Sequence, residues 1–315
     1  MKKLPAHELG RDWIDDPFAK RQKEQVAKVL EQAEADRRAK EALRRAKGET
    51  ESLELQEARD ILGDDFLGPE EVEKTFGVVM PADELPPLPF SRAELEKAKE
   101  LGEMLILRVD KTADGKPMSL EAMNAILVKR WEKEGKGGIL ATPDDWKSLI
   151  GKETYTKNTP RSGWALVSKE LLPDSTNKDY IKQTEIIIQV LREKTFEDLE
   201  MPKEYAEALA EFESQKDRLT KLMSENWQQA AKELSELKIN ELTRSSIQET
   251  IYDLAMYYDT RGQRLLPDSY TWSNSRSTGG SLVCLGGLDA WGVGGSWWGP
   301  DYRYGFVGVS LSRRL

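Results

Sequence analysis

Histidine and cysteine, on which much nucleophilic and metal chemistry depends, each occur once in this chain of 315 residues, as His7 and Cys284. One cysteine excludes a disulfide within the chain, and the two residues together cannot supply the four ligands of a structural zinc site. A Ser–His–Asp arrangement would have to use His7, which lies in a stretch with little to hold it in place. Carboxylate pairs remain possible among 56 acidic residues, but such residues are mostly solvated. We therefore predict a protein that is not an enzyme and uses neither a metal nor a cofactor.

The segment 264–315 differs from the rest of the chain in its residue types. It contains no Lys, Glu, Gln or Met, whereas Gly, Ser, Arg, Tyr and Trp are frequent. One explanation is structural, because strands and tight turns disfavour the missing residues. The other is functional, because Tyr and Trp together with Ser, Gly and Asn are the residues with which paratopes bind ligands. We expect short strands joined by tight turns, and a binding surface on them.

Three stretches of this segment resemble the variable proteins of diversity-generating retroelements. They are Asp268–Val283 (DSYTWSNSRSTGGSLV), Gly295–Pro300 (GSWWGP) and Gly308–Arg313 (GVSLSR), the last being similar to the Gly-x-x-Leu-x-Arg strand that ends members of that family. The resemblance is specific over residues 265–315 and weaker over 70–264. It implies a C-type lectin fold, related to that of the formylglycine-generating enzyme, and a hypervariable region that binds ligands, in particular by protein–protein interaction.

In that family a reverse transcriptase mutates template adenines, usually within AAC or AAT codons. Because the third base stays a pyrimidine, the mutated codons never encode Lys, Glu, Gln or Met. The resemblance thus accounts for the residue types that are missing after Gln263. Tryptophan is equally unreachable from those codons. The resemblance therefore implies that Trp272, Trp298 and Pro300, with the closing strand Gly308–Arg313, are framework.

The resemblance also implies which positions vary, and we take these as candidate ligand-binding residues. They are Asn274, Thr278, Gly279, Ser281, Cys284, Gly287, Leu288, Asp289, Gly294, Gly299, Asp301, Tyr302, Arg303 and Tyr304. Trp291 and Trp297 complete the candidate set, because they also fall where the family varies. Either these two are scaffold in this chain or their template codons differ from the usual ones. The polar candidates are expected to face outward, with Tyr302 and Tyr304 as anchors for a ligand.

The elements that must position these residues are mostly helices before residue 264. A charged helix is predicted over residues 8–47, a short helix ends near Leu62, and Pro81–Pro89, with four prolines, runs extended. Apolar runs predict buried strands at Met104–Val109 and Trp164–Val167. Capping signals and apolar periodicity predict the remaining helices, at residues 91–101, 120–134, from 142, from 179, within 205–237 and at 246–262.

These elements predict an α+β fold with a mixed or antiparallel sheet and flanking helices, preceded by an N-terminal helical segment, and the resemblance implies that this is a C-type lectin-like domain. The predicted organisation is a charged helical segment at 1–63, a helix and Pro-rich linker at 64–90, and a ligand-binding domain at 91–315 with its variable region at about 268–307. Roughly fifty residues without disulfide or metal cannot bury a core of their own. The last strands are therefore expected to complete one mixed sheet with the strands near Met104 and Trp164.

The predicted function is the binding and display of a ligand by a surface that adenine-directed retroelement mutagenesis diversifies. The ligand is expected to be a protein or a cell-surface macromolecule, and the N-terminal helix to allow self-association. The net charge of −9 argues against nucleic acid as a partner. No run of about 18 apolar residues predicts a membrane span. With no signal peptide in the sequence, the cytoplasm is the default location, and a phage particle or non-classical export stays open.

Other functions are alternatives to this prediction. The main one is a structural or assembly component of a phage or cell surface, with a Trp- and Gly-rich β domain and no diversification. An enzyme similar to the formylglycine-generating enzyme would need paired cysteines, and this chain has only Cys284. A calcium-dependent sugar lectin would need several converging carboxylate oxygens, for which the segment offers little beyond Asp289 and Asp301.

Overall fold

The computed structural model describes residues 53–314. Contacts divide the chain between Gln56 and Glu57, and from Glu57 onward it forms one compact unit. The charged helix predicted over residues 8–47, and the self-association assigned to it, lie outside the described residues. The first described helix, α1, spans Leu53–Leu62, which confirms the helix end predicted near Leu62.

The helices for which the sequence carries a start signal, near residues 91, 142 and 246, begin where that signal predicts. Ser91 and Ser246 each accept a hydrogen bond from the backbone N–H of a glutamate three residues later, and that glutamate's side chain accepts one in return. Gly262 then ends the last helix in the left-handed region, with φ 72°. The helices are α2 Pro69–Phe76, α3 Arg92–Glu100, α4 Leu120–Glu134, α5 Pro143–Ile150, α6 Lys152–Lys157, α7 Tyr180–Val190, α8 Lys203–Glu225, α9 Trp227–Glu236, α10 Lys238–Thr243 and α11 Ile247–Arg261.

The strands form two four-stranded sheets. Their bounds are β1 Phe66–Leu67, β2 Glu103–Arg108, β3 Gly163–Ser168, β4 Tyr270–Arg276, β5 Leu282–Gly286, β6 Gly294–Trp298, β7 Val307–Gly308 and β8 Ser312–Arg313. The order is β1, β2, β3, β8 in the first sheet and β6, β5, β4, β7 in the second. Both sheets are mixed, because β1 runs parallel to β2 and β7 parallel to β4, while the other pairs are antiparallel. The fold is therefore α+β, as predicted.

The last strands do not complete one sheet with those near Met104 and Trp164, so that expectation is corrected. Only β8 reaches the first sheet, where Arg313 pairs with Leu166 of β3. The physical reason is α11, which contacts strands of both sheets and is buried at every residue from Ile247 to Asp259. The helix is buried on all sides although it carries charged residues such as Glu249 and Asp253, and it lies in the interior, where it contacts both sheets.

The second sheet shares its core with helices rather than enclosing one of its own. Trp272 of β4 and Cys284 of β5 pack in one apolar cluster with residues of α7, α8 and α9. Two buried ion pairs add further links. Arg313 of β8 pairs with Glu103 of β2, and Arg108 of β2 pairs with Asp253 of α11. Removing one partner of such a pair leaves an uncompensated buried charge. The segment after residue 264 thus shares its apolar core, and through Arg313 a buried ion pair, with the rest of the unit.

Candidate functional site

A cleft of about 530 Å³ opens between α5 and the edge of the second sheet. The α5 side of the cleft is lined by Ala141, Thr142, Asp145, Trp146, Ser148 and Leu149, and the sheet side by Ser277, Thr278, Gly279, Ser281, Gly294, Gly295 and Trp297. Five of the candidate residues predicted from the sequence are therefore brought together here. Asp145 is the one lining residue with a charged side chain. The walls otherwise offer indole rings, hydroxyl groups and glycine backbone.

Trp146 sets the distance between α5 and β6. Its ring is buried, and its Nε1–H donates to the carbonyl oxygen of Val293 at 3.2 Å. A Cβ atom on Gly295 would lie 2.6 Å from Cη2 of that ring, so the close approach requires glycine there. At the far end of α5, the Thr278 N–H donates to the Leu149 carbonyl at 2.9 Å. The two sides of the cleft are therefore joined at both ends.

Trp297 and Trp298 lie on opposite faces of β6, because side chains alternate along a strand. Trp297 lines the cleft and is 52% exposed. Trp298 is 43% exposed and stacks on Tyr302, with ring centroids 4.2 Å apart and planes 5° apart. The expectation that Trp298 is buried framework is therefore corrected, since an edge strand leaves both of its faces partly open. Trp272, on an inner strand, is 1% exposed and does pack as scaffold.

The stack on Trp298 continues along the loop after β6. The Tyr302 and Tyr304 rings are nearly parallel with centroids 5.9 Å apart, and Phe306 meets Tyr304 edge-on at 4.3 Å. We call Trp298, Tyr302, Tyr304 and Phe306 the aromatic row. Each ring pair in such geometry contributes about 0.5–1.5 kcal/mol beyond its buried area. The row is therefore held in place by its own contacts and needs no ligand to order it.

Arg303 fastens the aromatic row to α7. Its Nη2 donates to Oδ2 of Asp179 at 2.6 Å, and the other carboxylate oxygen of Asp179 accepts the Lys182 N–H at 2.8 Å as the cap of α7. The Arg303 side chain remains 60% exposed and borders a groove of about 370 Å³ beside α7. A candidate residue thus combines a structural contact with an accessible guanidinium group.

Three candidate residues are buried, which corrects their assignment to an exposed surface. Cys284 and Leu288 are 0% and 1% exposed, and Ser281 is 8% exposed although it borders the cleft. Cys284 lies on β5, an inner strand of the second sheet, and its side chain packs in the apolar cluster between that sheet and the helices. Burial raises the pKa of its thiol to about 12, so it stays protonated and unreactive at neutral pH.

Three candidate glycines have little room for a larger side chain. A Cβ atom on Gly287 or Gly294 would lie 2.9 Å or 2.6 Å from the hydroxyl oxygen of Tyr270. On Gly299 it would lie 2.8 Å from a carboxylate oxygen of Asp301, which is the end of a side chain that can move. Gly287 and Gly294 are therefore packed positions, whereas Gly299 is restricted only by a flexible neighbour.

The remaining candidates are exposed or partly exposed. Asn274 is partly buried and donates through Nδ2 to the Arg244 carbonyl at 3.3 Å. Asp289 is exposed, but its Oδ1 accepts the Trp291 N–H at 2.7 Å and so closes the turn before β6. The exposed candidates are Thr278, Gly279, Asp289, Trp291, Trp297, Asp301, Arg303 and Tyr304.

Sequence reasoning missed the wall that α5 contributes. Thr142–Asp145 was recognised as a helix start, but nothing in it indicates that the next residue, Trp146, forms one side of a site. The contact that creates the cleft is a parallel bridge between Leu140 and Val293, which are far apart in the chain. Phe306 was also missed, although its place two residues after Tyr304 in an exposed loop was a usable signal.

No family model, curated protein or solved structure matches this chain. Within residues 53–314, no three His, Cys, Asp or Glu side chains are grouped closely enough to hold a metal ion. None of the helices in that same part of the chain is both long and apolar enough to cross a membrane. The resemblance to retroelement variable proteins therefore depends on the sequence stretches quoted above.

Proposed function

We propose that this protein binds a ligand and is not an enzyme, and that the cleft and the aromatic row form its recognition surface. The observation that carries the proposal is the exposure of four large apolar side chains at the β6 edge: Trp297 in the cleft, and Trp298, Tyr304 and Phe306 in the aromatic row that begins on the other face of that strand. Large apolar side chains seldom remain together in water unless they mark a site of interaction. The cleft volume of about 530 Å³ also falls within the range of roughly 300–1,000 Å³ that is usual for ligand sites.

The partner that suits this surface is a protein or another cell-surface macromolecule. The aromatic row extends the surface beyond the cleft, so a small molecule in the cleft would leave most of the exposed rings uncovered. Rings that are already stacked lose little conformational entropy when a partner covers them. Hydroxyl and backbone groups at Thr278 and Gly279 supply adaptable hydrogen bonds beside those rings.

We further propose that the surface belongs to a C-type lectin-like domain and is diversified by adenine-directed retroelement mutagenesis. The residue types missing from 264–315 support this, and so does the space around several exposed candidates. At Gly279 the nearest atom to an added Cβ would be the Ser277 Oγ, at 3.8 Å. Asp301 and Arg303 are also exposed, although Arg303 is ion-paired with Asp179. The proposed variable surface leaves out Cys284 and the buried Leu288.

A display experiment tests the binding proposal. In one library of the full chain, positions 278, 279, 297, 301 and 304 are randomised; in a control library, five exposed positions of α8 are randomised instead, namely 204, 210, 214, 217 and 221. Both libraries are selected against a panel of purified cell-surface proteins, and folding is followed by protease resistance. We expect both to fold and only the first to give target-specific binders. Equal yields from the two libraries, or general unfolding of the first, would favour the structural alternative.

The diversification proposal has its own test in the neighbouring DNA. We expect a near-copy of the codons for residues 268–307 beside a reverse transcriptase gene, with differences confined to adenines of the copy. A neighbourhood without such a copy, together with related sequences that differ evenly along the segment, would remove diversification while leaving ligand binding to be judged by the libraries.

A further inference from the structure

The outer edge of β6 carries a strand pairing that stops after one residue. The Val293 N–H donates to the Ile139 carbonyl at 2.9 Å, and the Val293 carbonyl accepts the Ala141 N–H at 3.3 Å. This is a parallel bridge, centred on Leu140, to the residue just before β6. It cannot continue, because α5 begins at Pro143, which has no N–H to donate.

The next two outward positions of that edge are Gly295 and Trp297. Backbone groups of alternate residues in a strand point to the same side. The N–H and carbonyl groups of Gly295 and Trp297 therefore point outward, away from β5, as those of Val293 do. Ser296 points the other way, toward its partner Cys284 on β5. Among residues 53–314, nothing outside β5 is hydrogen-bonded to the backbone of Gly295 or Trp297. About four backbone groups are thus open to a further strand.

The edge also lacks the features that normally protect a free strand. Gly294–Trp298 contains no charged residue and no proline, which are common means of preventing unwanted pairing. The cleft runs along this edge, since Gly294, Gly295 and Trp297 line it. Trp297 on one face and Trp298 on the other stand ready to contact alternate side chains of an added strand.

We propose that the partner binds by adding an extended polypeptide segment to β6, inside the cleft. This inference rests on the proposed function and specifies the partner as a protein with an accessible unstructured or edge-strand segment. Backbone hydrogen bonds to Gly295 and Trp297 give affinity that is independent of the partner's sequence, and the flanking side chains give specificity. A lysine or arginine in the segment suits the cleft face, where Asp145 and the Trp297 ring lie together.

The test begins with phage-displayed random linear dodecapeptides selected on the full chain. Each selected peptide is synthesised with a single N-methyl group at each position in turn, and its affinity is measured by titration. If the peptide adds as a strand, its affinity should fall roughly three- to tenfold when the methyl group replaces an N–H that points toward β6. At the alternate positions, whose N–H groups point away from β6, the affinity should hardly change. Uniform insensitivity to N-methylation, or no enriched linear peptide at all, overturns the proposal.

A pair of variants tests the protein side of the same hydrogen bonds. Trp297→Ala removes the indole alone, whereas Trp297→Pro also removes the outward N–H without touching the ladder to β5. We expect the proline variant to bind the peptides roughly three- to tenfold more weakly than the alanine variant. Ser296→Pro is the contrasting control, because it removes an N–H that points to β5 and should lower the melting temperature.

The outcomes separate this proposal from the proposed function. If Trp297→Ala and Trp297→Pro lower the peptide affinity equally, strand addition is overturned. The proposed ligand binding then still stands, because the wild-type protein binds the peptides. If wild-type and randomised libraries give no binders at all, the proposed function itself fails. If instead β6 pairs with β6 of a second copy of this chain, a concentration-dependent dimer will form. Trp297→Pro will abolish that dimer, and no peptide will displace the second copy. This outcome also overturns the proposal.

Discussion

Trp272→Ala and Trp298→Ala remove the same side chain from strands on either side of β5, and the structure predicts very different costs. Trp272 is 1% exposed and meets Tyr180 edge-on with centroids 6.0 Å apart. Its removal opens a cavity where the sheet faces α7, α8 and α9, and strands held on both sides cannot close it. We expect a loss of about 3–5 kcal/mol in the free energy of unfolding.

For Trp298→Ala the same reasoning gives a smaller loss. Its ring is 43% exposed, and its stacking on Tyr302 contributes about 0.5–1.5 kcal/mol. The buried part of the ring adds about 1 kcal/mol, roughly half the value for full burial of a large apolar side chain. We therefore expect a loss of about 1.5–2.5 kcal/mol in the free energy of unfolding. Trp291→Ala, at a position that is 78% exposed, should change stability by about 0.5 kcal/mol or less.

Guanidinium unfolding followed by far-ultraviolet circular dichroism measures these differences, because each variant removes a tryptophan and so alters fluorescence. Shifts of the midpoint at constant slope give the change in stability. Trp272→Phe serves as a second comparison, since it keeps an aromatic ring while removing an indole N–H that has no hydrogen-bond partner. Trp272→Phe should lower the free energy of unfolding clearly less than Trp272→Ala does. Equal losses for Trp272→Ala and Trp298→Ala would refute the distinction between inner and edge strands.

Three further predictions concern the same unit. Gly295→Ala forces a Cβ to 2.6 Å from an indole carbon and should cost about 1–3 kcal/mol, whereas Gly279→Ala, with 3.8 Å of clearance, should be nearly neutral in the same denaturation assay. Burial raises the pKa of Glu249, but nearby arginines lower it to about 2 from an ordinary 4.5. The contribution of Glu249 to the free energy of unfolding is therefore complete above pH 4.5 and is lost as the pH falls toward 2. In Glu249→Gln the free energy of unfolding should then decrease less on acidification, by up to about 3 kcal/mol. Cys284, buried and protonated, should react with a disulfide reagent only as fast as the chain unfolds; rapid labelling of the native protein would contradict the packing of β5.

The helices could be predicted from the sequence because their signals are local. Ser91 with Glu94 and Ser246 with Glu249 mark helix starts within a few residues, and the structure shows both capping boxes. The apolar run from Met104 likewise predicts β2, since a short uninterrupted stretch followed by a turn signal favours an interior strand.

Sheet order could not be predicted, and the errors at single residues follow from that. Nothing local shows that β5 is an inner strand, which buries Cys284, or that β6 is an edge strand, which exposes Trp298. Gly294 fits the pattern of a variable position, yet it packs against Tyr270 of β4, which lies two strands away in the second sheet. Burial in a sheet is decided by partners that are distant in the chain, whereas residue type and spacing report only on near neighbours.

The pairing of β8 with β3 also orders the events of biosynthesis. β8 follows the segment 268–307 in the chain. β3 therefore cannot pair with β8 until the ribosome has translated that entire segment. Until then Glu103 lacks Arg313, and its carboxylate would have to be buried without a counter-charge, at a cost of about 3–5 kcal/mol. A nascent chain interrupted within the segment is therefore expected to be less stable than the complete chain and more open to proteolysis. We therefore expect that molecules which reach the folded state have been translated through the whole of segment 268–307.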